Sequence, residues 1–216
     1  MKFDLVIFDC DGVLVDSERI VNTIESQHWS RLGLPIAPEE ARTMFKGKTV
    51  AEIALIVESR VQRKLPADWL YDWAMATALG FVQDLREVEG VRDVLERLAH
   101  SDVRTCVASQ SPLGRVKLSL LITGLHRFFG DRIYTASMVT RGKPAPDLFL
   151  YAAEQMGTHP RNCAVIEDSQ NGVHAARTAG MSVFGYVADE NSAALAKAGA
   201  SVFASMRQLP ALLGFA

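Results

Sequence analysis

The sequence predicts a doubly wound parallel α/β sheet that is interrupted, early in the chain, by a helical insertion. Three observations carry that prediction. Short β-branched or apolar segments recur at Phe3–Phe8, Val103–Ala108, Arg132–Thr135, Ala164–Ile166, Ser182–Tyr186 and Ser201–Phe203. Helical patterns separate them, and such strand–helix alternation builds layered parallel folds. The stretch from about Ser17 to Arg86 holds helical patterns and no convincing strand.

Each element has a local cause. The runs LVIF and CAVI are apolar almost without interruption, which suits strands covered on both faces. Val91, Val94, Leu95 and Leu98 fall at helical spacing before the second strand, and Val116, Leu120 and Leu121 do so after it. Two further helices are expected to begin near Pro146 and Asn171, with Gly157 and Gly180 as their stops. Inside the insertion, Pro38-Glu39-Glu40 reads as a helix start. Thr49-Val50-Ala51-Glu52 matches a capping box opening a helix that runs towards Lys64. A helix after Pro66 places Trp69 and Trp73 one turn apart on one face, as core of a small helical unit.

Composition narrows the classes of function. At 216 residues the chain is long enough to bury its own core without a disulfide scaffold. It carries 23 Lys and Arg against 25 Asp and Glu, a formal charge of −2, and no basic stripe. Nucleic acid and anionic membranes are therefore not expected as partners. Hydrophobic residues at 49% with 22% charged exclude disorder as the main state. Cys10, Cys106 and Cys163 form no CxxC pair and lie in or beside apolar runs, so buried reduced thiols are expected. The N-terminal apolar run is only LVIF, bracketed by Asp4 and Asp9, too short for a signal peptide or a membrane span. A cytoplasmic protein, monomeric or weakly dimeric, is the expectation.

The polar residues stand where the strands end. Asp9 and Asp11 follow the first strand, Ser109 the second, and Glu167 and Asp168 the fourth, while Lys143 sits in RGKPAPD between the third strand and a helix. In doubly wound sheets ligands bind beyond these strand ends. Singly, each has an ordinary reading: a polar turn at Asp9 to Gly12, a solvated Lys143, a helix-capping Ser109, capping acids at Glu167 and Asp168. Together, in this order, they argue for one site. Crowded carboxylates repel, and a hard divalent cation such as Mg²⁺, which takes one or two carboxylates, removes that repulsion. A further carboxylate then serves as nucleophile, and a lysine and a hydroxyl supply donors around a phosphoryl group. A small phosphate monoester is the natural substrate.

At these residues the sequence resembles a known family. FDCDGVLVDSE, VASQS, RGKPAPDLF and VIEDSQNGVHAARTAGM resemble the four motifs of the haloacid dehalogenase superfamily, in its phosphatase and β-phosphoglucomutase-like branch, from Phe3 to about Tyr186. The resemblance implies a Rossmann-like core (1–16 and 87–216) and an inserted all-helical cap (17–86). It implies that Asp9 is the nucleophile and a Mg²⁺ ligand, and that Asp11 is general acid and base with its backbone carbonyl on the metal. Ser109 and the neighbouring amide would hold phosphoryl oxygens, and Lys143 would bridge the phosphoryl group and Asp9. Asp168 would complete the metal site, with Glu167 either a direct ligand or a partner of a water on the metal. Two residues along an extended chain put Asp9 and Asp11 on one side. Members that remove halide lack the second aspartate, so Asp11 speaks for an oxygen leaving group.

Two departures from the family pattern matter. Gln110 follows Ser109 where Asn is frequent, and its longer amide is expected to reach the substrate. In the cap, FKGK resembles the mutase substrate loop, placing Lys46 and Gly47 near the substrate. The mutase's phosphate-holding arginine, however, is replaced by Val50 and its cap histidine by Val21. Both losses favour a Mg²⁺-dependent hydrolase of sugar-phosphate or sugar-acid-phosphate esters over a phosphomutase. A receiver-like phosphorylated signalling module needs neither Asp11 nor an insertion, so it ranks behind both. None of the five histidines is assigned a role.

Overall fold

The computed structural model describes residues 3–45, 48–187 and 192–214. Its strands are β1 (Leu5–Phe8), β2 (Arg104–Ser109), β3 (Ile133–Thr135), β4 (Cys163–Glu167), β5 (Ser182–Tyr186) and β6 (Ser201–Phe203). They form one sheet in the order β3-β2-β1-β4-β5-β6, with every neighbouring pair parallel. β5 and β6 coincide with the predicted segments, and β1 to β4 differ from theirs by a residue or two at their ends.

Between β1 and β2 come α1 (Glu18–Arg31), α2 (Pro38–Phe45), α3 (Val50–Val61), α4 (Trp69–Asp84) and α5 (Val91–Ala99). Helices α6 (Leu113–Ile122) and α7 (His126–Phe129) follow β2, α8 (Asp147–Gln155) precedes β4, and α9 (Gln170–Thr178) precedes β5. The short α10 (Ser192–Lys197) and α11 (Leu209–Leu213) flank β6. The chain order of strands across the sheet reverses beside β1, because β1 pairs with β2 on one side and β4 on the other.

Both faces of the sheet are covered, as the continuous apolar runs require. Val6, Phe8, Val107, Ile166 and Phe184 pack on one side with residues of α5, α6 and α11. Leu5, Ile7, Cys106, Val165 and Val183 pack on the other with residues of α8 and α9. The three cysteines are buried and unpaired. Leu121 departs from its expected place on the packed face of α6. It is 62% exposed, because Val116 and Leu120 sit four residues apart on the buried stripe and the next position turns away. Helices α7, α10 and α11 are too short to show a period, so the sequence did not announce them.

Local chemistry sets the helix ends. At α3 the capping box forms: Glu52 N donates to Thr49 Oγ1 at 3.3 Å, and Thr49 N donates to Glu52 Oε2 at 2.7 Å. The helix ends at Val61, short of Lys64, where Gln62 turns left-handed at φ +54°. Gly157 (φ +59°) and Gly180 (φ +76°) close α8 and α9 in the conformation that favours glycine. The helical unit has its own core of Trp29, Ala41, Phe45, Ile53, Val57 and Trp73. Trp69 stacks on Trp73 with centroids 6.1 Å apart. Among the described residues no helix is long and apolar enough to cross a membrane.

Candidate active site

The reversal of strand order brings the ends of β1, β2 and β4 together, and three buried charges meet there. Lys143, on the loop before α8, donates from Nζ to Asp9 Oδ1 at 2.6 Å, to Glu167 Oε1 at 2.6 Å and to Ala108 O at 3.0 Å. An ammonium has three N–H bonds, so each finds an acceptor. Residue exposures of 6%, 7% and 1% for Lys143, Asp9 and Glu167 make that pairing obligatory. Asp9 is tied to β4 through its own N–H, which donates to Ile166 O at 3.0 Å.

The surrounding loops hold these groups in place. Glu167 Oε2 accepts from Asp168 N at 3.0 Å and from Ser169 N and Oγ at 2.9 Å each. Ser169 also caps α9 by accepting from Gly172 N. A Cβ at Gly172 would overlap the Glu167 carboxyl, so only glycine lets that carboxylate lie against the first turn of α9. Gln110 is engaged by the lysine loop: Lys143 N donates to its Oε1 at 3.1 Å, and its Nε2 donates to Lys143 O at 3.3 Å. Ser109 is buried, and its Oγ accepts from Ser111 N at 3.1 Å.

Asp11 faces a different set of partners. Ser17 Oγ donates to its Oδ1, Ser111 Oγ to its Oδ2 at 2.7 Å, and Arg115 Nη2 to its Oδ1 at 3.1 Å. Arg115 lies over the Phe81 ring of α4, 5.3 Å from its centroid, so Asp11 is held from the core and from the helical insertion at once.

These surroundings pull the two aspartates apart electrostatically. Burial pushes the Asp9 carboxyl well up; Lys143 opposes the rise, and the negative charges of Glu167 and Asp168 add to it. Burial would also raise Asp11, but Arg115 and the hydroxyls of Ser17 and Ser111 outweigh it and hold that carboxyl below the usual range. Burial alone would lower Lys143, yet Asp9 and Glu167 raise it and keep it charged. Cys10, between the aspartates, is pushed well up by burial and stays a thiol.

The oxygen donors available to a cation sit on the same edge. Among the described residues no group of three or more His, Cys, Asp or Glu side chains is gathered as a metal cage. The loop nevertheless closes on Asp168: Gly12 takes φ +81°, and a Cβ there would overlap the Asp168 carboxylate. Two carboxylates, Asp9 and Asp168, and the main chain of the Asp9–Gly12 loop thus form an all-oxygen edge with excess negative charge. That donor set fits Mg²⁺, which accepts few carboxylates and keeps water for its other positions.

Above this edge lies a cleft of about 140 Å³, floored by Asp9, Asp11, Ser109 and Lys143 and roofed by the helical insertion. The predicted Lys46 and Gly47 lie outside the described residues; Lys48 lines the cleft. Ser17, Ser111, Arg115 and Glu25 were not singled out from sequence. Arg115 meets Asp11 across 104 residues, a pairing no local pattern reveals. Glu25 had a signal: it stands four residues after Val21 and four before Trp29, on the buried stripe of α1.

Glu25 is expected to make stability depend on pH. It is 3% exposed, and burial, opposed by Arg115, pushes its carboxyl up to about 8. A raised acid favours the folded state below its unfolded value near 4.5 and loses that advantage as pH rises through about 8. Relative to Glu25→Gln, the wild type is expected to lose up to about 1.4 kcal/mol per pH unit across that window and to level off above it. Urea unfolding of both proteins across the window checks this; a constant difference contradicts it.

Known proteins place this architecture in a family. The family model for haloacid dehalogenase-like hydrolases matches residues 6–186. The chain is 30% identical over 214 residues to the 6-phosphogluconate phosphatase of Escherichia coli K12, covering 98% of this chain and 95% of the relative. It is 27% identical over 199 residues to the phosphorylated carbohydrates phosphatase of Thermotoga maritima, covering 91% and 92%. A solved hydrolase of this family from Deinococcus radiodurans, with bound phosphate and sodium, superposes with a TM-score of 0.78 at 33% identity, covering 98% and 95%. The chain belongs to the haloacid dehalogenase-like hydrolase family. Its parallel sheet with an inserted helical cap is the fold of that family.

Proposed function

We propose that the chain is a Mg²⁺-dependent phosphatase of small sugar-type phosphate monoesters, working through a phosphorylated Asp9. The observation that carries the reading is the buried Lys143 bridging Asp9 and Glu167 at the floor of a capped cleft. The named activities of the two curated relatives support it.

Asp9 and Asp168, with the carbonyl of Asp11, would hold the metal, which when bound offsets the charge of the carboxylates and of the phosphoryl oxygens. Asp9 attacks phosphorus with a carboxylate oxygen, and the bond to the leaving oxygen breaks. Lys143 keeps that carboxylate aimed and stabilises charge on the phosphoryl oxygens, together with Ser109. Asp11 gives its proton to the departing alkoxide. Water then attacks the same phosphorus, Asp11 takes a proton from it, and the bond to Asp9 breaks to release phosphate.

Two residues take narrower roles than their motifs suggest. Both oxygens of Glu167 already accept protein donors, so it serves to hold Lys143 and the Asp168 loop. Gln110 likewise clamps the main chain at Lys143. Asp11 is ionised by its present partners, as a base for water must be. To act as acid it has to exchange some of those contacts for the leaving oxygen. Hydrolysis is favoured over phosphoryl transfer between sugar positions because Val21 and Val50 line the cleft as apolar groups, where a mutase has a histidine and an arginine.

The test is phosphate release from a panel of sugar, sugar-acid and nucleoside phosphates. Release is expected to vanish with a chelator and return with Mg²⁺. Metal-independent release, or none from any ester, refutes the reading.

A further inference from the structure

Unpaired polar groups line the part of the cleft that faces the leaving group. Glu25, on α1, lines the cleft and is 3% exposed. Among the described residues its carboxyl has no hydrogen-bond partner, and the charge that acts on it is Arg115, whose Nη2 is held by Asp11 and whose buried Nε has no partner. Trp73 lines the same cleft, and its buried indole N–H has no acceptor among the described residues. Asn22 adds an amide one turn before Glu25, and Val21, Val50 and Ile53 supply apolar wall. Buried donors and acceptors left unpaired are unusual in a folded protein and mark positions a ligand completes.

Resting on the phosphatase reading above, we propose that Glu25 is a specificity-determining residue that hydrogen-bonds a hydroxyl of the leaving group, making the substrate the phosphate ester of a polyol or sugar. A polyhydroxylated carbon chain meets both halves of this surface, with C–H faces on the apolar wall and hydroxyls between Glu25 and the Trp73 N–H. Burial keeps Glu25 protonated at neutral pH, so it both donates to and accepts from a hydroxyl.

The experiment compares kcat/KM of wild type, Glu25→Leu and Glu25→Gln on glucitol 6-phosphate, 6-phosphogluconate and p-nitrophenyl phosphate. The first two differ only in a terminal alcohol against a carboxylate, and the third has no hydroxyl to read. Glu25→Leu lowers the ratio of glucitol 6-phosphate to p-nitrophenyl phosphate by about tenfold or more. Glu25→Gln, which keeps a donor and an acceptor without the acid, recovers most of that ratio. An equal fall on all three esters in Glu25→Leu, which marks a structural role, or no change on any, overturns the inference. Failure of wild type to hydrolyse even p-nitrophenyl phosphate instead sinks the phosphatase reading, and this inference with it.

Discussion

Asp9→Asn is expected to lower kcat for every phosphate ester by about 10⁴-fold or more while leaving the fold intact. The substitution removes the oxygen that bonds phosphorus and changes little else. The amide oxygen can still accept from Lys143, whose other acceptors, Glu167 and Ala108, are unaffected. It also removes a carboxyl that burial destabilises. The unfolding free energy should therefore stay within about 1 kcal/mol of wild type. Steady-state kinetics with urea unfolding checks both halves. Retained turnover removes Asp9 as nucleophile; lost turnover with lost stability assigns it a structural part.

Lys143→Met is expected to cost about 3–5 kcal/mol of stability at neutral pH, because two buried carboxylates lose their shared cation. The direction with pH follows from the charges. Lys143 is raised, so its contribution is complete throughout the neutral range and fades only as pH climbs past the ordinary lysine value. In the variant, Asp9, raised by burial and by the charge of Glu167 and without its lysine, binds a proton more readily in the folded state than in the unfolded one. The deficit should therefore shrink as pH falls from about 7.5 to about 5.5. Urea midpoints of both proteins at the two pH values measure it, and a deficit that grows on acidification contradicts the pairing. Activity should fall with it, since Asp9 is no longer aimed.

What the sequence made legible was local. Apolar runs followed at once by Asp9, Ser109 or Glu167 mark strand ends, and a parallel sheet turns strand ends into one edge. The capping box at Thr49 and the stops at Gly157 and Gly180 were likewise written within a few residues. What stayed hidden depends on the chain folding back on itself. Arg115 reads as a surface residue in the first turn of α6 until α4 and the Asp11 loop are laid against it. Gln110 reads as a substrate ligand, and its hold on the main chain at Lys143 shows only once that loop closes on its amide. Glu25 reads as an ordinary helix acid, although its spacing from Val21 and Trp29 sets it on the buried side.

The covalent step is the centre of this account, and it can be caught directly. Enzyme turning over a phosphate ester with Mg²⁺ is quenched in acid, digested, and its peptides weighed and fragmented. The expected result is one phosphoryl group on Asp9, within the peptide spanning residues 3–19, and none in Asp9→Asn. A phosphoryl group on another residue, or unmodified Asp9 during continuing turnover, would contradict the mechanism.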